Sequence, residues 1–300
     1  MGPATTSIRR PKARVRWRTA VTALLALALT GCGIGLVYPR LDTIGAYYVE
    51  GLVTLDGAQS EQLDRLLGAS LARHRASELV RYAAFLRGLA GSVEGGADAG
   101  EWQAAARQAD VFWRDIGAAL APAAIEIGRT LTDEQVAELL ANLSERDEEE
   151  WQEFADRTPA EQLEHRQKTL RRALERFTGR LDARQRALLD QHAASTGSFM
   201  AEWRENRRTW REALAAALAV RGSDEEFARR MTLLVARPDE LWTLQYRAAI
   251  ERSRAETIGL LAALDVTLTP SQRDTARRKL ASLADELAHL AQPDERKRRA

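Results

Sequence analysis

A single thiol, four histidines and one Glu-x-x-His spacing are the side chains whose types and spacing could do chemistry in this 300-residue chain. The thiol, Cys32, closes the run Ala23-Leu24-Leu25-Ala26-Leu27-Ala28-Leu29-Thr30-Gly31-Cys32-Gly33. A thiolate is a nucleophile and a metal ligand, but one cysteine allows no internal disulfide. Glu286-x-x-His289 has the spacing of half a di-iron carboxylate site, which needs a second such unit and two further glutamates on facing helices. There is no second unit, because the equivalent position before His165 is Gln162. His74 and Glu78 suit an i,i+4 pair on one helix. No Gly-x-Ser-x-Gly elbow, zinc-protease helix or nucleotide loop occurs, and no strand precedes Gly31-x-Gly33-x-Gly35. The expectation is therefore no catalytic residue, no metal and no cofactor: a chain that is not an enzyme.

The elements around Cys32 give that thiol another use. A basic segment precedes an apolar run from Ala20 to Leu29 and then small residues, the three-part pattern of a bacterial secretory signal over residues 1–31. The run is about half of the roughly 20 residues needed to cross a bilayer. Leu29-Thr30-Gly31-Cys32 resembles a lipobox, the Leu-small-small-Cys site of bacterial lipoproteins. That resemblance implies a diacylglyceryl thioether on the Cys32 sulfur, cleavage before Cys32 and a fatty acyl (palmitate-type) chain on the new amino group. Three chains hold a protein on a membrane far more firmly than one. The implied partners are the bilayer and the lipoprotein processing and sorting machinery. By the same resemblance Gly33, where retained lipoproteins commonly carry Asp, implies the inner leaflet of the outer membrane, facing the periplasm. Met1-Gly2 with Thr6 fits a myristoylation pattern, but Pro3 and the export signal oppose it.

Charge changes sign once the signal is set aside. Six of the 44 basic residues and none of the 43 acids lie in residues 1–31, which leaves 38 against 43 and a net charge of −5. That is not the footprint of a nucleic-acid binder. Hydrophobic residues make up 45% of the chain, enough for a buried core. Ala, Leu, Arg and Glu dominate, and runs of alternating β-branched residues are absent. The fold class expected is all-α, an antiparallel helical bundle or an elongated array of helical hairpins.

The spacing predicts helices over 41–54, from 56 to about 89, 101–129, 132–155, 159–178, 182–194, 198–220, 224–236, 238–265 and 270–290. Gly91–Gly100 reads as a loop, Pro122 as a kink, and Trp102 and Trp113 as two positions on one helix face. Residues 32–40 read as the anchor and a short tether, 41–291 as one helical domain divisible into two sub-bundles, and 292–300 as a basic tail. Trp203, Trp210 and Met200 outline a core-facing stripe. Arg204, Arg207, Arg208 and Arg211 form a basic stripe, and Glu148, Glu149, Glu150 and Glu153 an acidic one, both expected to be solvated faces laced with ion pairs.

One motif recurs four times: Leu55-Asp56-Gly57-Ala58-Gln59, Leu131-Thr132-Asp133-Glu134-Gln135, Leu181-Asp182-Ala183-Arg184-Gln185 and Leu268-Thr269-Pro270-Ser271-Gln272. Asp56, Thr132, Asp182 and Thr269 suit N-caps, and Gln59, Gln135, Gln185 and Gln272 can each return a bond to the cap's backbone. Thr158-Pro159-Ala160-Glu161 and Ser223-Asp224-Glu225-Glu226 read as two more helix starts. The unequal spacings exclude a regular solenoid but suit a duplication of helical hairpins.

Leu-Thr-x-x-Gln, intact at 131–135 and 268–272, is similar to the signature of small helical periplasmic stress chaperones, which implies a client-shielding holdase role. A broader set resembles an uncharacterised family of proteobacterial helical lipoproteins, a domain of unknown function. That set comprises the lipobox, Tyr47-Tyr48, Leu55-x-x-x-Gln59, the segment Leu71-Ala72-Arg73-His74-Arg75-Ala76-Ser77-Glu78-Leu79, Arg81-Tyr82 and Leu280-Ala281-Ser282-Leu283-Ala284-Asp285-Glu286-Leu287. Val80 departs from that family's frequent Pro and leaves the helix uninterrupted. The expected function is a non-catalytic, lipid-anchored scaffold or accessory factor binding an envelope protein, with no nucleic acid; the alternative is the holdase.

Overall fold

The computed structural model describes residues 34–292. The signal segment, the lipobox residues Leu29, Thr30 and Gly31, Cys32 and the tail from residue 293 lie outside the described residues. Within them the chain is all-α, with no strand among the described residues. Ten helices follow two short turns, Ile34–Val37 and Tyr38–Arg40: α1 Leu41–Glu50, α2 Gly57–Gly95, α3 Ala99–Thr130, α4 Asp133–Ala155, α5 Pro159–Thr178, α6 Ala183–Ser195, α7 Met200–Leu218, α8 Asp224–Ala236, α9 Leu244–Asp265 and α10 Pro270–Ala291.

The 39-residue α2, about 58 Å long at 1.5 Å per residue, is the spine. Around its first half, α1, α3, α4, α7 and α8 close one core over Leu63, Ile127, Leu143, Leu218 and the fully buried Phe227. Along its second half α10 packs through Leu79, Ala83, Ala284 and Leu287, then through Ala90, Val93, Ala276 and Leu280. Leu181, Leu189, Leu260 and Leu264 join α5, α6 and α9 beside that seam.

Several expected boundaries shift, each for a packing reason. The glycine-rich stretch 91–100 is not a loop: α2 continues to Gly95 because Val93 is buried against α10. The turn is only Gly96–Asp98, with Gly96 in the left-handed region at φ 94°, where a side chain would be strained. Asp98 and Glu101 there form a capping box that the glycines concealed. Pro122 neither divides nor ends α3, since Ala121 and Ala123 on either side are buried in the bundle. Trp102 packs on the α2–α10 seam, whereas Trp113 is 68% exposed, so the two do not share a buried face. α1 ends at Glu50 rather than at 54, and the stretch 238–265 is broken by the turn Pro238–Leu241 before Thr243 caps α9.

Close helix approach is set by glycine at one point above all. A Cβ on Gly117 of α3 would lie 2.4 Å from the Val235 carbonyl oxygen and 2.9 Å from Ala236 Cα of α8. Backbone cannot move aside as a flexible side chain does. Gly117→Ala is expected to lower unfolding free energy by about 1–3 kcal/mol, read as the urea midpoint. Gly88→Ala, in α2 with nothing within 4 Å, is expected to raise it by up to about 1 kcal/mol through helix propensity. Equal effects at the two sites would refute the close-approach account.

Candidate functional site

The four Leu-x-x-x-Gln motifs do more than start helices. Asp56, Thr132, Asp182 and Thr269 are N-caps of α2, α4, α6 and α10, each in a complete capping box with its glutamine. The glutamines then meet in pairs. Gln59 Nε2 donates to Gln135 Oε1 at 3.0 Å, and Gln135 Nε2 returns a bond to Gln59 Oε1 at 2.7 Å. Gln185 and Gln272 exchange the same two bonds at 2.9 Å each. Every Nε2 also donates to the carbonyl two residues before its partner's N-cap: Gln59 to Thr130, Gln135 to Thr54, Gln185 to Thr267 and Gln272 to Arg180. The two clasps are the same local structure built twice, joining residues 76 and 87 apart in sequence. The repeated unit is thus a pair of helix starts.

Thr158 caps α5 in a box with Glu161 as expected. Ser223 does not cap α8 through its side chain; Asp224, Glu225 and Glu226 in the first turn complement the helix dipole instead.

A second cluster lies where the described chain begins. Residues 34–40, read as part of a tether, fold onto the bundle: Tyr38 is buried between α2 and α10. Its hydroxyl is 2.8 Å from His74 Nδ1, and His74 Nε2 is 3.0 Å from the Tyr82 hydroxyl. One ring nitrogen donates and the other accepts. The expected His74–Glu78 pair does not form as a hydrogen bond; Glu78 turns to Arg81, which also binds Asp115. Burial pushes the Tyr38 hydroxyl up to about 12, against the neighbouring Arg75 charge. Burial likewise raises Tyr82 to about 12 and lowers His74 from its ordinary value despite Glu78. All three groups are thereby held neutral near pH 7, and both ring nitrogens are engaged. This is a seam that fixes the first turns to α2.

Glu286 and His289 line a shallow groove of about 640 Å³ on the outer side of α10, together with Gly35, Arg277 and Arg278. Burial raises the Glu286 carboxyl, and one of its oxygens has no partner. No group of three or more His, Cys, Asp or Glu among the described residues could hold a metal ion.

The basic and acidic stripes meet each other. Glu148 of α4 binds Arg204 of α7 at 2.7 Å, and Asp147 binds both Arg207, at 3.0 Å, and Arg211. Arg204 also stacks over Trp151 at 4.7 Å and Arg207 over Trp210 at 4.8 Å. Arg208 is held on its own helix by Glu205 and Glu212. Trp210 packs on the first core and donates its Nε1 to the Leu234 carbonyl at 3.3 Å. Asp147, like Asp265 and Arg273 below, was missed from sequence because an i,i+3 or i,i+4 pattern shows partners on one helix only.

No described helix is long and apolar enough to cross a membrane. Residues 51–247 match a family of unknown function, DUF6279. The matched span holds the first glutamine clasp whole and one half of the second, and leaves Tyr47-Tyr48 and the 280–287 segment outside it. No curated protein and no solved structure matches the chain.

Proposed function

This chain belongs to the DUF6279 family of unknown function, and from that premise we propose that it is a non-catalytic envelope lipoprotein. Cys32 carries its acyl chains, and the helical domain serves as scaffold or accessory factor for another envelope protein. The observation that carries this reading is the sequence Leu29-Thr30-Gly31-Cys32, with the sole thiol at the end of an apolar run behind a basic segment. Two further facts support it. The described fold starts at Ile34, so an acyl anchor at Cys32 would be followed almost at once by folded protein. The polar clusters inside the fold are engaged in helix-to-helix bonding, which suits a binding module better than an enzyme. The address we propose is the inner leaflet of the outer membrane, facing the periplasm. The chaperone-like alternative rests on Leu-Thr-x-x-Gln alone, and in this fold those residues already have structural partners in the clasps.

Cys32→Ser is expected to abolish incorporation of labelled palmitate and to move the protein out of the membrane fraction or leave it unprocessed. Undiminished labelling would overturn the reading. Crosslinking in intact cells, followed by mass spectrometry, tests the scaffold role; it is expected to recover one reproducible envelope protein, and recovery of none would count against it.

A further inference from the structure

Four of the large hydrophobic side chains most open to solvent fall within thirteen residues: Leu36 at 61%, Leu41 at 41%, Tyr47 at 57% and Tyr48 at 37% exposure. They flank and line α1. The inner side of that helix is defined by Gly45 against Leu67, by buried Ala46 and by Val49 on the first core. At 100° per residue the opposite side carries Thr43, Ile44 and Tyr47, with Leu41 and Tyr48 exposed on its flank and Arg40 at the N-cap. The acids of α1 are drawn elsewhere: Asp42 lies toward Gly68 of α2, and Glu50 accepts from Ser60 at 3.0 Å. Arg40 reaches back to the Leu36 carbonyl at 2.7 Å, which ties the turn before α1 to the same surface. At the far edge Arg146 of α4 stacks over Tyr48 at 4.9 Å, with Glu150 of α4 and Arg207 of α7 beyond it.

We propose that this surface, from Leu36 through Tyr47, rests in the headgroup boundary of the phospholipid bilayer that holds Cys32. The inference depends on the anchor reading above and adds an orientation to it. Only Gly33 separates Cys32 from Ile34, so a residue of the described fold stays within about 7 Å of the anchored one. A domain held that close must lay some surface on the membrane. Tyrosines and an arginine, each with an apolar body and a polar tip, beside exposed leucines on α1 and the turn before it are the composition that the interface favours. The other end of the described chain supports the same side. Leu290 and Ala291 of α10 pack in one cluster with Ile34, so the described chain ends beside its beginning. The sequence after it carries Arg296-Lys297-Arg298-Arg299, complementary to phospholipid phosphates.

The test uses the full chain, isolated with its acyl chains and reconstituted in vesicles of phosphatidylethanolamine and phosphatidylglycerol. With Cys32 acylated, Tyr47→Cys supplies one free thiol for an environment-sensitive fluorophore. Leu36→Cys supplies a second reporter in case the first disturbs α1. Val266→Cys, 79% exposed in the turn that precedes α10, a helix about 33 Å long whose other end carries Leu290 and Ala291, is the control. Fluorophores at 47 and 36 are expected to shift to the blue, to be quenched by nitroxide-bearing lipid and to be shielded from aqueous iodide. The fluorophore at 266 is expected to behave as in detergent-free water. Equal iodide quenching at all three positions overturns the orientation. The mass of the N-terminal peptide reads the acyl chains separately: an acylated protein with open probes overturns only the surface, and an unacylated one overturns surface and anchor together.

Discussion

Gln185→Ala is expected to lower the stability of the protein by about 2–4 kcal/mol. Gln185 is completely buried and makes five bonds: its backbone N–H donates to the Asp182 side chain, its Oε1 accepts from the Asp182 N–H and from Gln272 Nε2, and its Nε2 donates to the Thr267 carbonyl and to Gln272 Oε1. Truncation strands the Thr267 carbonyl, the Asp182 N–H and one Nε2 hydrogen of Gln272, while Gln272 Oε1 keeps only its bonds from Thr269, and it opens a cavity besides. Gln272→Ala should cost a similar amount, and the double variant should cost clearly less than the sum of the two. A double-mutant cycle in urea is expected to give a coupling of about 1–3 kcal/mol. The first clasp is the comparison, because Gln135 is only half-buried and water can replace part of what Gln135→Ala removes. Additive losses at Gln185 and Gln272 would show that each glutamine merely caps its own helix.

Asp265→Ala should be the most damaging change to a charged residue, at about 3 kcal/mol or more, because it strands its partner cation. Asp265 is 3% exposed at the end of α9 and is held by Arg273 of α10 through both carboxylate oxygens, at 3.1 and 2.9 Å. The same guanidinium donates to the Val93 carbonyl of α2 at 2.8 Å, so one side chain joins three helices. Gly96 lies beside that carboxylate, where a Cβ would be in ordinary contact at 3.6 Å from Asp265 Oδ2, so it is the left-handed backbone and not space that calls for glycine. Replacing both partners, Asp265→Leu with Arg273→Met, should recover much of the loss, since two apolar groups leave no stranded charge. Chemical denaturation of the three variants checks this. An Asp265→Ala protein as stable as the parent would mean that the pair is incidental.

The all-α class and most helix limits were legible because the signals are local. Thr158-Pro159 and Asp224 begin α5 and α8 where the caps and acids place them, and α4 and α10 start on their Thr-x-x-Gln boxes. What sequence reading missed is non-local. Glycine propensity argued for a loop at 91–95, and burial of Val93 against a helix some 180 residues later overrode it. Helix periodicity places Trp102 and Trp113 together, yet Trp102 packs on the α2–α10 seam and Trp113 stands 68% exposed. The glutamines were read as caps because the cap uses only one side of the amide group; the remaining Nε2 donors show their purpose only when the partner helix start is brought alongside. The charged stripes followed the same logic, each incomplete until α4 and α7 lay side by side.

Ile34, Leu290 and Ala291 all pack against one cluster of Tyr38, Leu79, Ala83, Ala284 and Leu287, so the two ends of the described fold meet on a common core. The described fold has no intrinsic first or last element, and a short peptide from Gln292 back to Ile34 would close it into a ring. Any exposed inter-helix turn, such as the one around the unobstructed Gly197, is then topologically equivalent to the natural opening.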